Sequence, residues 1–173
     1  MRTALVVIDF QNTVFDAPPA FRAEQTLQRI GALIGKARAA RAPVIYVQHA
    51  TPGTSWEAGS AGWHFPAAIA PQPGDFVSPK SASDGFQDTG LHAHLQRHGI
   101  ASIVVCGYAT EFCIDTNLRR AASLQLDTIV ASDAHTTRDR PHLAAPAIIE
   151  HHNWVWSELG GIRLCASAAI QFA

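Results

Sequence analysis

The sequence predicts an α/β fold: a three-layer α/β/α arrangement on a mostly parallel, Rossmann-like sheet of about five or six strands. Three observations carry that expectation. Residues 3–8, 44–47 and 103–105 are runs rich in Val and Ile that do not alternate with polar residues, as in strands covered on both faces. Between such runs, apolar residues recur at three- and four-residue steps, the period of an amphipathic helix. Pro43, Gly99 and Gly107 stand at the joints, where the chain must stop one element and start another.

Taken in order, residues 3–8 form the first strand and Asp9 ends it. That end is where open α/β sheets bind ligands, although Asp also serves there as a turn former. Phe10 to Pro19 reads as a loop. Leu27, Ile30, Leu33, Ile34 and Ala37 give a helix from Glu24 to Arg41, stopped by Pro43, whose preceding residue avoids the helical region. Val44 to Gln48 is a second buried strand, completing one right-handed β–α–β unit. Residues 49–75 are rich in Gly, Pro, Ser and Ala and carry Trp56, Trp63, His64 and Phe65, which suggests an ordered loop over a substrate.

Phe76-Val77 reads as a short strand running into a loop of small residues that holds Lys80. Asp88 or Thr89 caps a helix bearing Leu91 and Leu95, ended near Gly99. The run from Ile103 turns at Gly107, presents Cys113, and resumes as a helix with Ile114, Leu118, Ala121 and Ala122 on its apolar face. A thiol near a helix N-terminus is favoured as thiolate, so Cys113 is expected to label with iodoacetamide at mildly acidic pH before Cys106 or Cys165. Packing as a small buried hydrophobe is the competing reading, and from position alone the two are even. Residues 127–131 form a further strand, 132–137 its loop, and a last helix covers Ala144 to His152 with Pro146 in its first turn. Trp154 to Leu159 is an apolar connection, and residues 162–165 form an edge strand.

Composition narrows the function. A chain of 173 residues with 47% hydrophobic and 16% charged residues is expected to be one domain, residues 1–173. The net charge of −1, without a basic cluster, offers no surface for nucleic acid, and no basic amphipathic stretch suits a membrane. No apolar run is long enough to span a bilayer, and Met1-Arg2 leads directly into a strand, so no signal peptide is expected. Three cysteines without a Cys-x-x-Cys pair fit a reducing, cytoplasmic setting better than a disulfide framework or structural zinc. His92, His94 and His98 read as solvated helix surface. Neither Gly-x-Gly-x-x-Gly nor a P-loop occurs, so no phosphate cradle is visible and no cofactor is implied.

What remains is a constellation. Asp9, Lys80 and Cys113 each follow a strand-like run, and parallel strands bring such ends to one edge. A carboxylate beside a thiol takes its proton, and an ammonium stabilises the thiolate. Leu5-Val-Val-Ile-Asp9-Phe-Gln-Asn12, then Pro79-Lys80-Ser81 with Phe86 shortly after, then Val104-Val-Cys-Gly107-Tyr-Ala-Thr110-Glu-Phe-Cys113-Ile, then Ser132-Asp133-Ala-His135 closely resemble the isochorismatase-like cysteine hydrolases, from residue 4 to about 153.

The resemblance implies a catalytic triad of Asp9, Lys80 and Cys113 acting on small amides through a thioester. In it Asp9 is general base and then acid, and Lys80 is the electrostatic activator. It also implies a cis peptide between Tyr108 and Ala109 that aims the Ala109 and Cys113 N–H groups as an oxyanion hole. Phe10, Gln11, Trp63, His64, Phe86, Tyr108, Glu111 and Phe112 are the expected pocket residues. Core packing competes for the aromatics, as a solvated helix acid does for Glu111.

Nicotinamidases, which look similar, carry Asp-x-His and a further His for a metal. Here Val47-Gln48-His49 lacks the carboxylate, so no metal is expected at His49 or His64, and the metal-free, streptothricin-hydrolase-like branch fits better. The expected function is hydrolysis of a C–N bond in a small-molecule substrate. Vinyl-ether cleavage of the isochorismatase type, which does not need the thiol, is the alternative, and a non-catalytic binding module follows. Family members assemble as dimers or larger rings, so a homo-oligomer is expected.

Overall fold

The computed structural model describes residues 2–172. Its six strands are β1 (Arg2–Ile8), β2 (Val44–His49), β3 (Phe76–Lys80), β4 (Ile100–Tyr108), β5 (Asp127–Thr136) and β6 (Ile162–Cys165). They form one sheet in the order β3-β2-β1-β4-β5-β6, and every neighbouring pair is parallel. The α/β expectation therefore holds, with an all-parallel sheet. The strand order reverses between β1 and β4, which opens a crevice beyond their C-terminal ends.

Helices cover both faces because each buried strand is apolar on both. In β1, Leu5 and Val7 join one core cluster while Ala4, Val6 and Ile8 join the other, the two-residue period of a pleated strand. Helix α1 (Ala23–Ala39) buries Ile30, Leu33, Ile34 and Ala37 in the first cluster, together with Ile170 and Phe172 from the end of the chain. Helices α2 (Leu91–Arg97), α3 (Asp115–Ser123) and α4 (Ala145–Glu158) serve the second through Leu91, Leu95, Leu118, Ala121 and Trp156. Each fully buried Leu or Ile contributes about 1.5–3 kcal/mol relative to leaving it in water. Among the described residues no helix is long and apolar enough to cross a membrane.

Three boundaries differ from expectation. Strand β3 continues through Pro79 to Lys80; the missing proline N–H is tolerated because β3 is an edge strand. Strand β5 runs on through His135 to Thr136, with a register shift after Val130, where a loop from Ser132 was expected. Helix α4 continues past His152 to Glu158, so Trp154 and Trp156 are helical. The fully buried Trp156 ring and its Nε1 bond to Asp115, at 2.8 Å, supply the tertiary contact that carries the helix onward. The N-cap of α2 is Gly90 and carries no side-chain cap, rather than the expected Asp88 or Thr89; the Thr89 hydroxyl accepts from the Leu91 amide at 3.3 Å one residue earlier.

Candidate active site

The C-terminal ends of β1, β2, β3 and β4 converge on one cavity of about 330 Å³, lined by Asp9, His49, Thr51, Thr54, Trp56, Ser83, Tyr108, Ala109, Phe112, Cys113 and Arg140. Asp9 directly follows β1 and adopts a φ of +49°, a left-handed conformation that Asp tolerates better than most residues, at a cost of about 1 kcal/mol or more. Its amide is anchored to the Val47 carbonyl at 2.9 Å. Lys80 ends β3 in register with His49 at the end of β2, so the two side chains meet. Cys113 sits in a π-helical turn, Thr110–Ile114, between β4 and α3. Single π turns often occur at functional positions. Gly107, with a φ of +130°, precedes this turn; a Cβ there would collide with the Ile8 carbonyl, so only glycine lets β4 pass β1 this closely. The Tyr108–Ala109 peptide is cis.

Asp9 is 2% exposed and Lys80 6% exposed, which makes this a buried ion pair, with Asp9 lining the cavity and Lys80 behind it. Lys80 Nζ lies 2.7 Å from Asp9 Oδ2 and donates to Cys113 Sγ at 3.4 Å, the Ala82 carbonyl at 2.9 Å and His49 Nδ1 at 3.1 Å. The Asp9–Lys80 approach is close but off the axis of a hydrogen bond, and neither Asp9 oxygen receives a well-directed hydrogen bond within the described chain. Burial raises the Asp9 carboxyl above its ordinary range, against the lowering pull of Lys80.

Burial also pushes the Cys113 thiol up to about 12, helped by the Asp9 charge and opposed by Lys80. This runs against the expectation of a preformed thiolate: with desolvation the largest influence, the resting group is a protonated thiol beside a carboxylate. His49 is held below its ordinary range by burial and by Lys80, with Asp9 acting the other way. An ammonium only donates, so Nδ1 accepts and the ring proton sits on Nε2, directed at Thr51 Oγ1 2.7 Å away.

Of the pocket residues expected from sequence, Tyr108 and Phe112 line the cavity. Phe10 and Phe86 lie in the two core clusters instead. Gln11 is fully buried; it donates to the carbonyls of His49 and Trp63 and accepts from the His49 amide, so it clamps the end of β2. Trp63 is not among the lining residues; its carbonyl accepts from the side chains of Gln11 and Gln48, and His64 is exposed. Glu111 reaches the cavity through another residue: its Oε1 accepts from Arg140 Nε at 2.6 Å and fixes the guanidinium, which also lies 5.1 Å from the Phe112 ring centre. Among the described residues no three His, Cys, Asp or Glu side chains cluster as a metal site.

Sequence reasoning missed Thr51, Thr54, Trp56, Ser83 and Arg140, and left His49 undecided. Trp56, stacked on Tyr108 with ring centres 5.9 Å apart, occupies the place expected of Trp63. Arg140 had one available signal, its position just beyond the end of a strand sharing this sheet edge. Asn117 joins the two halves of the site. Its Nδ2 donates to the carbonyls of Ser83 and Cys113, and its Oδ1 accepts from the Gly85 amide.

A model described as the isochorismatase domain matches residues 3–153. Streptothricin hydrolase from Streptomyces noursei is 35% identical over 147 residues, covering 84% of this chain and 52% of that protein; the chain thus spans about half the length of that relative. The ureidoacrylate amidohydrolase RutB of Azorhizobium caulinodans is 29% identical over 86% of this chain and 79% of its own length. The crystal structure of N-carbamoylsarcosine amidase from Thermoplasma acidophilum superposes with a TM-score of 0.83 at 25% identity, covering 98% of this chain and 99% of that one. On this agreement of sequence and fold, the chain belongs to the isochorismatase family of hydrolases.

Proposed function

We propose that this protein hydrolyses a small amide or related non-peptide C–N bond through a thioester formed on Cys113. The observation that carries this reading is the buried Asp9 carboxylate, without a directed hydrogen bond, beside a protonated Cys113 thiol in the wall of one cavity, with the Lys80 ammonium in contact with both. A carboxyl raised by burial and a thiol that is protonated at rest suit a concerted transfer. Cys113 Sγ attacks the substrate carbonyl carbon as its proton passes to Asp9. Lys80, 3.4 Å from Sγ, offsets the negative charge that builds on sulfur.

Ala109 and Cys113 both line the cavity, and the Ala109 N–H has no backbone partner among the described residues, so we assign their two N–H groups as the donors to the oxyanion. One such donor is worth roughly 10²–10³ in rate. Protonated Asp9 then gives its proton to the leaving nitrogen, and ammonia or an amine departs. A water, deprotonated by Asp9, attacks the thioester; the acid is released and the thiol regains its proton. Ureidoacrylate amidohydrolase and N-carbamoylsarcosine amidase are named for amide cleavage, and streptothricin hydrolase is named as a hydrolase, which supports the substrate class.

The test is a hydrolysis panel of amides, ureas and lactams read by ammonia or amine release, with intact-mass detection of an acyl adduct of +acyl mass on Cys113. The wild type turns over at least one class, and Cys113→Ala loses that activity. Retained hydrolysis in Cys113→Ala on the same substrate overturns the thioester route and favours chemistry that does not use the thiol.

A further inference from the structure

We infer that His49 is a positioning residue that, with the Ala82 carbonyl, pins two of the three Lys80 N–H groups so that the third alternates between Asp9 and Cys113. The inference rests on the mechanism above and adds a member to it. An ammonium has three protons, and here it faces four acceptors: Asp9 Oδ2 at 2.7 Å, the Ala82 carbonyl at 2.9 Å, His49 Nδ1 at 3.1 Å and Cys113 Sγ at 3.4 Å. Two of these acceptors are neutral and keep their character throughout the proposed cycle. The other two exchange charge: as the proton moves from Cys113 to Asp9, the negative charge moves from carboxylate to sulfur. In this structure the remaining proton is directed at Cys113 Sγ, with Asp9 Oδ2 closer but off its axis; an ammonium held by its two neutral partners can swing that proton between the two without moving its nitrogen. Little reorganisation is then needed at the moment of attack.

The surroundings of His49 look built for that role. Register pairing of β2 with β3 sets His49 beside Lys80. Gln11 grips the His49 backbone from both sides, accepting from its amide at 2.9 Å and donating to its carbonyl at 3.0 Å. The Thr51 hydroxyl takes the Nε2 proton, which leaves Nδ1 as the acceptor. The Trp56 ring meets the imidazole edge-on, with centres 5.7 Å apart, and limits its rotation. Such support would be superfluous for a histidine that merely lined the cavity wall.

The decisive experiment compares His49→Ala, His49→Asn and His49→Gln, because the Asn side-chain oxygen falls near the Nδ1 position and the Gln oxygen does not. Two readouts are used: steady-state kinetics on a substrate found by the panel above, and the rate of Cys113 carbamidomethylation by iodoacetamide at about pH 9, followed by peptide mapping. Loss of one hydrogen bond to a charged group predicts a fall of about 10- to 100-fold in kcat for His49→Ala. KM should change less than about threefold, with slower alkylation of Cys113. His49→Asn recovers most of both losses, and His49→Gln recovers little. Thr51→Val, which leaves the fold's core untouched, shows a milder loss in the same direction and serves if His49→Ala does not fold.

Wild-type alkylation in His49→Ala, or Asn no better than Gln, overturns the inference. So does a change confined to KM, which would make His49 a substrate contact. Since alkylation needs no substrate, failure here is separable from failure of the amidase reading, which Cys113→Ala tests.

Discussion

Cys106 and Cys113 belong to one strand–turn–helix, and burial pushes both thiols above their ordinary range. Their surroundings differ in everything else. Cys106 lies within β4 with no exposed surface, packed in the core, its sulfur 3.8 Å from the Val6 carbonyl. Burial is the only influence on it. Cys113 is partly exposed at a cavity, and Asp9 and Lys80 act on it in opposite directions. Desolvation by itself makes a thiol inert. A buried thiol becomes useful when a neighbour can take its proton, another can hold the resulting charge, and a ligand can reach it.

The largest test of that contrast removes the proton acceptor. Asp9→Asn should lower kcat by roughly 10³-fold or more, the scale seen when a triad member is removed. Cys106→Ala should leave kcat within about twofold while losing about 1–2 kcal/mol from denaturant unfolding, the lost packing of a small buried side chain. Equal activity losses in the two variants would erase the distinction.

Alkylation against pH sharpens it. With the Cys113 thiol held up to about 12, iodoacetamide labelling in the native protein should be slow at mildly acidic pH and rise steadily past pH 9, with Cys106 unlabelled throughout. The same shift predicts that stability falls as pH climbs from about 9 to 12, because only the unfolded chain then releases the thiol proton. Rapid labelling of Cys113 at pH 6 would restore the preformed thiolate.

Next in size is Asn117→Ala, which frees the Cys113 carbonyl and the Ser83–Gly85 loop together. A drop of about tenfold in kcat is expected, with about 1–3 kcal/mol of stability lost. Unchanged kinetics would mean that the turn holds Cys113 without this brace.

The smallest effect concerns His135, buried under the cysteine turn. Its Nδ1 lies 2.9 Å from Thr110 Oγ1 and its Nε2 3.1 Å from Asn153 Oδ1. Burial lowers it to about 4. Between about pH 6.5 and 4 the unfolded chain takes up a proton that the fold refuses, so stability falls as pH drops through that window. Thermal midpoints measured across it should decline, and His135→Gln should flatten the decline. A flat wild-type profile would contradict the assignment.

Much of this molecule is legible in its sequence. Leu5 to Ile8 announced a central strand because no residue in the run was polar, and a strand apolar on both faces needs a layer on each side. Leu27, Ile30, Leu33 and Ile34 announced α1 by their period. Boundaries were less legible where tertiary contacts override local signals. Trp154 and Trp156 read as a connection because their helical register shows only once Trp156 has a core to enter. Ser132 to His135 read as a loop because the strand there carries a register shift, and its polar side chains find partners remote in sequence, His135 in α4 and the cysteine turn and Asp133 in α1 and at Ser167.

The candidate site divides the same way. Asp9, Lys80 and Cys113 could be brought together from sequence alone, since each ends a strand or follows one and parallel strands share an edge. The contact of His49 with Lys80, the choice of Trp56 over Trp63, and the Arg140–Glu111 pair were decided only in the folded chain. They depend on strand register and on the path of a long loop, both set by contacts between residues remote in sequence. The protonated state of Cys113 was decided there too. Sequence shows a thiol beside a helix start; only the fold shows how much water has been stripped from it, and desolvation is the larger effect.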